Sequence, residues 1–194
     1  MSKNILDQVV INEASVKKSR AWFDEQIQIM SRLRMTPNQV LTNKAFKMTG
    51  NILPGRLYFY FYDAKLKDKL PYWDQFPLVF PLSKNKDSFT GLNLHYLEYQ
   101  PRMALLQELL KVNGNKSYTE SKKISVSWGL VSGMAKLAPA QACIKMYLNE
   151  HLASPFCEVA PEYWHTAMML PVQRFVGASK ESVWRESRLK YRNR

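Results

Sequence analysis

Three histidines are the first residues whose chemistry could support catalysis or metal binding, because imidazole titrates near neutral pH and ligates transition metals. They are His95, His151 and His165, and their spacings of 56 and 14 residues match no metal-binding motif. His95 lies in the segment Leu94-His95-Tyr96-Leu97 at the end of a predicted strand. A hydrogen-bonded structural role is therefore favoured over a catalytic one for His95, and likewise for the other two.

Clustered aspartates form a second candidate site, since paired carboxylates hold Mg²⁺ in phosphoryl-transfer enzymes. Four of them fall within one span of 25 residues: Asp63, Asp68, Asp74 and Asp87. Lys65, Lys67 and Lys69 are interleaved with the first of these acids in a predicted surface loop. We therefore expect a solvated loop here, with no metal site and no nuclease.

Motifs for nucleotide binding or nucleophilic catalysis are missing from the sequence. Pro54-Gly55-Arg56 supplies one glycine without the Lys-Ser or Lys-Thr of a phosphate-binding loop, and no GxSxG turn occurs. Cys143 and Cys157 stand fourteen residues apart without a CxxC pattern, so we expect two thiols in a reducing compartment. The sequence predicts a non-enzymatic protein with no cofactor, no metal and no small-molecule substrate.

Basic residues are the strongest chemical signal. The chain carries 28 Lys and Arg against 16 Asp and Glu, a net charge of +12. The last nineteen residues, 176–194, hold six basic and two acidic side chains. A polyanionic partner and an acidic protein surface both fit this charge, as does a solvated helix end. The basic residues that recur at the carboxyl end are Arg185, Arg188, Lys190, Arg192 and Arg194.

Aromatic residues between 57 and 76 offer a second route to nucleic-acid binding, since bases stack on exposed rings. Core packing explains the same residues better, because alternate faces of one strand cannot all reach a ligand. These residues are Tyr58, Tyr60, Tyr62, Tyr72 and Trp73.

Length and composition indicate what kind of fold must position these groups. The chain has 194 residues, 46% of them hydrophobic, which fits one domain or one domain with an extension and excludes a disordered or collagen-like chain. No window approaches 18 apolar residues, and the first twenty residues lack a signal-peptide pattern. We therefore expect neither secretion by a signal peptide nor a membrane span.

The amino-terminal residues 1–50 are predicted to form a helical arm. Apolar residues at helical spacing indicate an amphipathic helix over 13–34. Thr36-Pro37 has the pattern of a helix cap followed by a first-turn proline, which predicts a second helix to about Met48.

Residues 51–178 are predicted to form a mixed α+β body, with a basic helix or tail over 179–194. Alternating residues over 57–62 indicate a strand, and 78–80 with 89–94 indicate a β-hairpin whose tip carries Lys84 and Lys86. We expect an antiparallel sheet of three or four strands, to which 156–159 could add one, packed by several carboxyl-terminal helices. Those helices are predicted after Pro101, around 124–135, from Pro139 through Leu148, over 161–170 and from Ser179 onward.

Five segments carry a family resemblance that would cover roughly residues 50–188. They are Gly55-Arg56-Leu57-Tyr58-Phe59-Tyr60-Phe61-Tyr62-Asp63, Leu70-Pro71-Tyr72-Trp73-Asp74-Gln75-Phe76-Pro77-Leu78-Val79, Gly91-Leu92-Asn93-Leu94-His95-Tyr96-Leu97, Leu170-Pro171-Val172-Gln173-Arg174-Phe175 and Val183-Trp184-Arg185-Glu186-Ser187-Arg188. Together they resemble the DNA end protector proteins of T-even-like tailed phages.

This resemblance implies a minor virion protein, present at the head or neck, that shields the ends of packaged linear DNA from host exonucleases. It implies no catalytic residues, and it implies the virion and, during assembly, the host cytoplasm as locations. Charge placement then makes the five carboxyl-terminal basic residues the leading DNA contacts, with Lys84 and Lys86 as a second set. The alternative is a structural subunit of the phage neck, tail or baseplate whose basic tail docks on other virion proteins, such as portal, neck or tail components.

Overall fold

The computed structural model describes residues 35–43 and 46–192, together with the single positions Glu25, Gln28 and Arg32. Its principal element is an antiparallel sheet of six strands. Two further strands form a small separate sheet. The strands are β1 (Phe46–Thr49), β2 (Leu57–Phe59), β3 (Trp73–Asp74), β4 (Leu78–Lys84), β5 (Ser88–Asn93), β6 (Ile144–Leu148), β7 (Phe156–Val159) and β8 (Phe175–Val176).

Six helices accompany the strands in the described part of the chain. Side-chain caps start three of them, since the hydroxyl oxygens of Thr36, Thr119 and Ser179 each accept a backbone N–H two or three residues into the helix. The helices are α1 (Pro37–Leu41), α2 (Tyr99–Asn113), α3 (Glu120–Ala135), α4 (Ala138–Gln141), α5 (Trp164–Met169) and α6 (Lys180–Arg192). Single 3₁₀ turns occur at Leu94–Tyr96, Asn149–His151 and Pro161–Tyr163.

The strand order in the large sheet is β1-β7-β2-β4-β5-β6. The prediction of three or four strands is therefore wrong. The two strands that the sequence did not reveal, β1 and β6, lie at the two edges. Both pair with segments that are distant in the sequence, Met48 opposite Cys157 and Met146 opposite Thr90. No local sequence pattern therefore predicts these two strands.

The predicted amino-terminal helical arm is also corrected. Residues 46–49, expected inside the arm's second helix, are instead strand β1 of the sheet, and helix α1 ends at Leu41. The helix expected over 13–34 lies outside the described residues apart from three isolated positions. Near the other edge, the helix expected from Pro139 through Leu148 ends at Gln141, because Ile144–Leu148 pair with β5.

Both faces of the sheet are covered, as the alternation over 57–62 predicted. Leu57 and Phe59 belong to the larger core with helices α2, α3, α5 and α6. Tyr58, Tyr60 and Tyr62 belong to a second core on the opposite face, which includes Phe89 and Tyr147. These three tyrosines are buried, so they pack the core and do not offer stacking surfaces. The hairpin β4–β5 and strand β7 also form as predicted.

Candidate nucleic-acid interface

Helix α6 carries most of the predicted basic residues, and its inner face is fixed to the body. Val183 is fully buried, and the Trp184 indole Nε1 donates to the His95 carbonyl oxygen at 2.8 Å. The Tyr72 hydroxyl donates to Glu186 Oε2 at 2.9 Å. The first half of α6 is therefore held against the body, and the helix continues to Arg192.

The basic residues of α6 lie on two opposite sides of the helix. Arg185 and Arg188 are both exposed and share one side, since three residues correspond to about 300° of rotation. Arg188 Nε lies 3.1 Å from Glu98 Oε1, an exposed ion pair that costs little to open. Lys190 follows Arg188 by two residues, about 200° further round, and points away from this pair. Arg194 lies outside the described residues.

Lys145 on β6 lies within electrostatic range of Lys190 and was not expected from the sequence to be a functional residue. Its ammonium Nζ lies 4.1 Å from the centre of the Tyr96 ring, a cation–π contact. Burial lowers the pKa of Lys145, the Cys143 thiol opposes this shift, and the like charge of Lys190 adds to it. A phosphate group within range of both cations would be stabilised.

The hairpin tip carries the second predicted set, Lys84 and Lys86, both exposed. The tip is closed by a hydrogen bond from the Asn85 N–H to the Ser88 carbonyl oxygen at 2.8 Å. Asn149 anchors it through its side-chain amide, which donates to the Lys86 carbonyl oxygen at 3.1 Å. Strand β5 separates this tip from His95, where α6 docks. Its six residues span about 20 Å, so the tip lies far from the point at which Trp184 of α6 docks.

A buried polar network lies beneath the docked end of α6. Asp74 Oδ2 accepts from His95 Nδ1 at 2.8 Å and from the Asn93 amide at 3.1 Å. Its Oδ1 accepts backbone N–H groups of Phe76 and Arg174, each at 3.2 Å. Burial raises the pKa of Asp74, but His95 and these donors outweigh it and hold the pKa below its ordinary value. His95 therefore has the structural hydrogen bond expected of it.

His95 is neutral in this network. Burial lowers its pKa more than the neighbouring Asp74 carboxylate raises it. A neutral imidazole that donates Nδ1–H to Asp74 leaves Nε2 as an acceptor, and that buried atom has no hydrogen-bond partner. Because the His95 side chain is fully enclosed, it cannot reach a substrate and serves to hold Asp74 and the 94–96 turn in place.

Arg102 is a fully buried arginine, and nothing in its sequence position distinguishes it from a surface cation. Its guanidinium donates to three backbone carbonyl oxygens, those of Leu97 at 2.7 Å, Met168 at 3.1 Å and His95 at 3.2 Å. Burial lowers its pKa to about 10. Arg102 therefore joins α2, α5 and the turn on which α6 docks, and it is not available to DNA.

The four aspartates considered as a metal site do not converge. Asp63 forms an exposed ion pair with Lys67 at 2.9 Å, whereas Asp74 is buried beside His95. Within residues 35–43 and 46–192, no group of three or more His, Cys, Asp or Glu side chains is arranged to hold a metal ion. No helix in the same part of the chain is long and apolar enough to cross a membrane.

The sequence was compared with protein families, curated proteins and solved structures. It matches the family described as phage T4 terminal DNA protecting protein over residues 2–189, nearly the whole chain. No curated protein and no solved structure matches.

Proposed function

The chain belongs to the phage T4 terminal DNA protecting protein family, and we propose that it binds the ends of the packaged linear genome and shields them from host exonucleases. It would act at the head or neck of the virion, beside portal, neck or tail proteins, after assembly in the host cytoplasm. Protection by this route needs no catalysis, because an exonuclease that requires a free end is blocked when the last base pairs are occupied.

The observation that carries this proposal is the ordered basic helix α6. Arg185 and Arg188 are exposed on one side of it, and the exposed Lys190 lies on the other, within electrostatic range of Lys145 on β6. Phosphate contacts of this kind fix a protein on duplex DNA without reading its sequence. Such binding suits a protein that must hold an end whatever its terminal bases are. Arg192 and Arg194 extend the same basic end, and Lys84 with Lys86 supplies a second set of contacts.

The direct test compares blunt-ended linear DNA with a covalently closed circle of the same sequence. Binding is measured across a salt series, and the linear form is then challenged with an exonuclease. We expect tighter binding to the linear form and protection of its ends. Equal binding to both forms with no protection would overturn the proposal and support the alternative, in which α6 docks on an acidic protein of the particle.

A charge-matched pair of variants tests the role of α6. Replacing Arg185, Arg188 and Lys190 with Gln should reduce the slope of log affinity against log salt by about 2 to 3, since each phosphate contact contributes about 0.9. The control replaces Lys65, Lys67 and Lys69 with Gln, which removes the same charge from an exposed loop. Equal effects of the two triple variants would show that α6 contributes only net charge.

A further inference from the structure

Trp128 on helix α3 differs from every other described aromatic side chain in its exposure. It is 43% exposed, whereas every other aromatic side chain whose burial the structure describes is buried or half-buried. A single exposed apolar residue is common on protein surfaces and needs no explanation by itself. The fixed orientation of the ring and the residues around it distinguish Trp128 from such a residue.

The indole is held in one orientation. Its Nε1 donates to the Leu82 carbonyl oxygen at 3.1 Å, which ties α3 to strand β4. Gly55 packs beneath it with a φ of +86°, and a Cβ added there would lie 3.2 Å from the Trp128 Cβ and 2.5 Å from the Ile124 carbonyl oxygen. A ring fixed in this way loses little conformational freedom when it binds a ligand.

The helix surface beside the ring is open. Gly129 follows Trp128 directly, and a Cβ added at Gly129 would meet no atom within 4 Å. Of the four residues one turn away, Ser125 and Ser132 are small and carry hydroxyl groups, whereas Ile124 is half-buried and Val131 is buried. A flat ligand can therefore approach the ring from the side of the two serines.

The strand that holds the ring leads to a positive charge. Strand β4 continues from Leu82, which accepts the indole hydrogen bond, to the exposed Lys84, about 7 Å further along the strand. In the sequence, residues 121–149, which include most of α3, contain no acidic residue. Glu120, at the start of α3, is paired with Lys123 at 3.0 Å. Lys84 is therefore the cation best placed to contact a phosphate beside the ring.

An end of duplex DNA combines a flat aromatic face with flanking phosphates. Internal base pairs are covered on both sides by their neighbours, whereas the terminal pair exposes one face. We propose that Trp128 is the platform on which the terminal base of the DNA stacks, with Lys84 contacting a phosphate near that end. This inference rests on the proposed function and adds to it the means by which an end is distinguished from internal duplex.

The test uses two DNA probes of the same sequence that differ only at their ends. One is a short blunt duplex with 2-aminopurine in its terminal pair, whose fluorescence falls when the base stacks. The other is a dumbbell closed by hairpin loops, which has no free end. We expect Trp128→Leu to weaken binding to the blunt duplex about 5- to 150-fold, the range measured for loss of one stacked base. The same variant should leave dumbbell binding unchanged and abolish the fluorescence change.

Two further variants keep the result interpretable. Trp128→Phe retains a ring and should keep most of the preference for the blunt duplex. Leu137→Ala removes another exposed apolar side chain, 59% exposed just beyond α3, and should alter neither probe's binding. Circular dichroism and urea unfolding establish that each variant is folded.

The possible failures are distinguishable. If the unaltered protein binds both probes equally, the proposed function itself fails. If it prefers the blunt duplex and Trp128→Leu keeps that preference, only the stacking assignment is overturned, and the exposed ring is left as a contact for another protein. If Trp128→Leu lowers the affinity for both probes equally, the stacking assignment is also overturned, because the ring would then contribute to DNA binding without distinguishing an end.

Discussion

At the scale of single residues, Arg102 shows that the net charge of +12 overstates what is available to a partner. Its guanidinium is fully buried and hydrogen-bonded only to backbone carbonyl oxygens, with Tyr99 and Trp184 rings lying 4.8 and 5.6 Å away. Each such carbonyl would be costly to leave unpaired. Arg102 therefore stabilises the fold by joining three backbone segments, and it is not available to a partner.

Arg102→Met should therefore destabilise the protein. Met keeps the apolar stem but leaves the carbonyls of Leu97 and Met168 without this donor, whereas that of His95 keeps Trp184. We expect the free energy of unfolding in urea to fall by about 2–4 kcal/mol. Arg188→Met, at an exposed ion pair, is the control and should change it by less than about 1 kcal/mol. Similar losses of unfolding free energy in both variants would contradict this structural role of Arg102.

The His95 and Asp74 pair should make stability depend on pH. Because the pKa of His95 is lowered in the folded protein, the unfolded chain takes up a proton below about pH 6.5 that the folded protein does not. The free energy of unfolding should then fall with pH below this value, by up to about 1.4 kcal/mol per pH unit. The lowered pKa of Asp74 adds a further loss as pH falls below about 3.9.

His95→Gln tests this dependence, with His151→Gln as its control. His95→Gln should flatten the decline between pH 6.5 and 5, measured by urea unfolding at each pH. The half-buried His151 is not part of the network, so His151→Gln shows what the loss of an imidazole elsewhere does to the profile. Parallel profiles for the unaltered protein and His95→Gln would contradict the assignment of a neutral buried His95.

At the scale of elements, the hairpin β4–β5 depends on a close approach at Gly91. Pro81 faces Gly91, and the register shifts between Pro81 and Ser83. A Cβ added at Gly91 would lie 2.3 Å from Val79 Cγ1 and 2.9 Å from the Phe80 carbonyl oxygen. This glycine therefore allows β4 and β5 to approach closely, and it lies on the strand that leads to the 94–96 turn under α6.

A pair of glycine variants separates this requirement from backbone propensity. Gly91→Ala should lower the free energy of unfolding by about 1–3 kcal/mol, because the strands must separate to admit the methyl group. Gly133→Ala, in α3 with no atom within 4 Å of the new Cβ, should raise it by about 0.5–1 kcal/mol. Chemical denaturation measures both. An unchanged free energy of unfolding for Gly91→Ala would show that β4 and β5 can separate here at little cost.

At the scale of the whole molecule, the hairpin tip and the point at which Trp184 of α6 docks stand at opposite ends of β5. The hairpin tip holds Lys84 and Lys86, and α6 docks about 20 Å away, beyond the six residues of the strand. That distance corresponds to about six base pairs of B-DNA, at about 3.4 Å per step. Two sets so placed can contact one duplex end at separate phosphates.

Salt dependence tests this arrangement. Replacing Lys84 and Lys86 with Gln should reduce the slope of log affinity against log salt by up to about 2, and the effect should add to that of the α6 triple variant because the sites are far apart. Affinity for linear DNA is measured for each variant and for their combination. If the combined variant shows no more loss than the α6 variant alone, the hairpin tip does not contact the DNA.

The sequence by itself determined the family, the basic character, the hairpin β4–β5, strand β7, the start of α6 near Ser179 and the two-sided burial of residues 57–62. Each of these follows from local spacing, composition or a short signature, which the chain carries whatever its tertiary contacts.

Only the tertiary structure decided which strands form the sheet edges, that Arg102 is buried and that Trp128 is exposed. Strand β6 has apolar spacing that also fits a helix, and its pairing with β5 overrides that local preference. Arg102 is buried because three carbonyls from separate elements converge on it. Exposure, burial and convergence depend on contacts between residues far apart in the chain, and no local pattern records them.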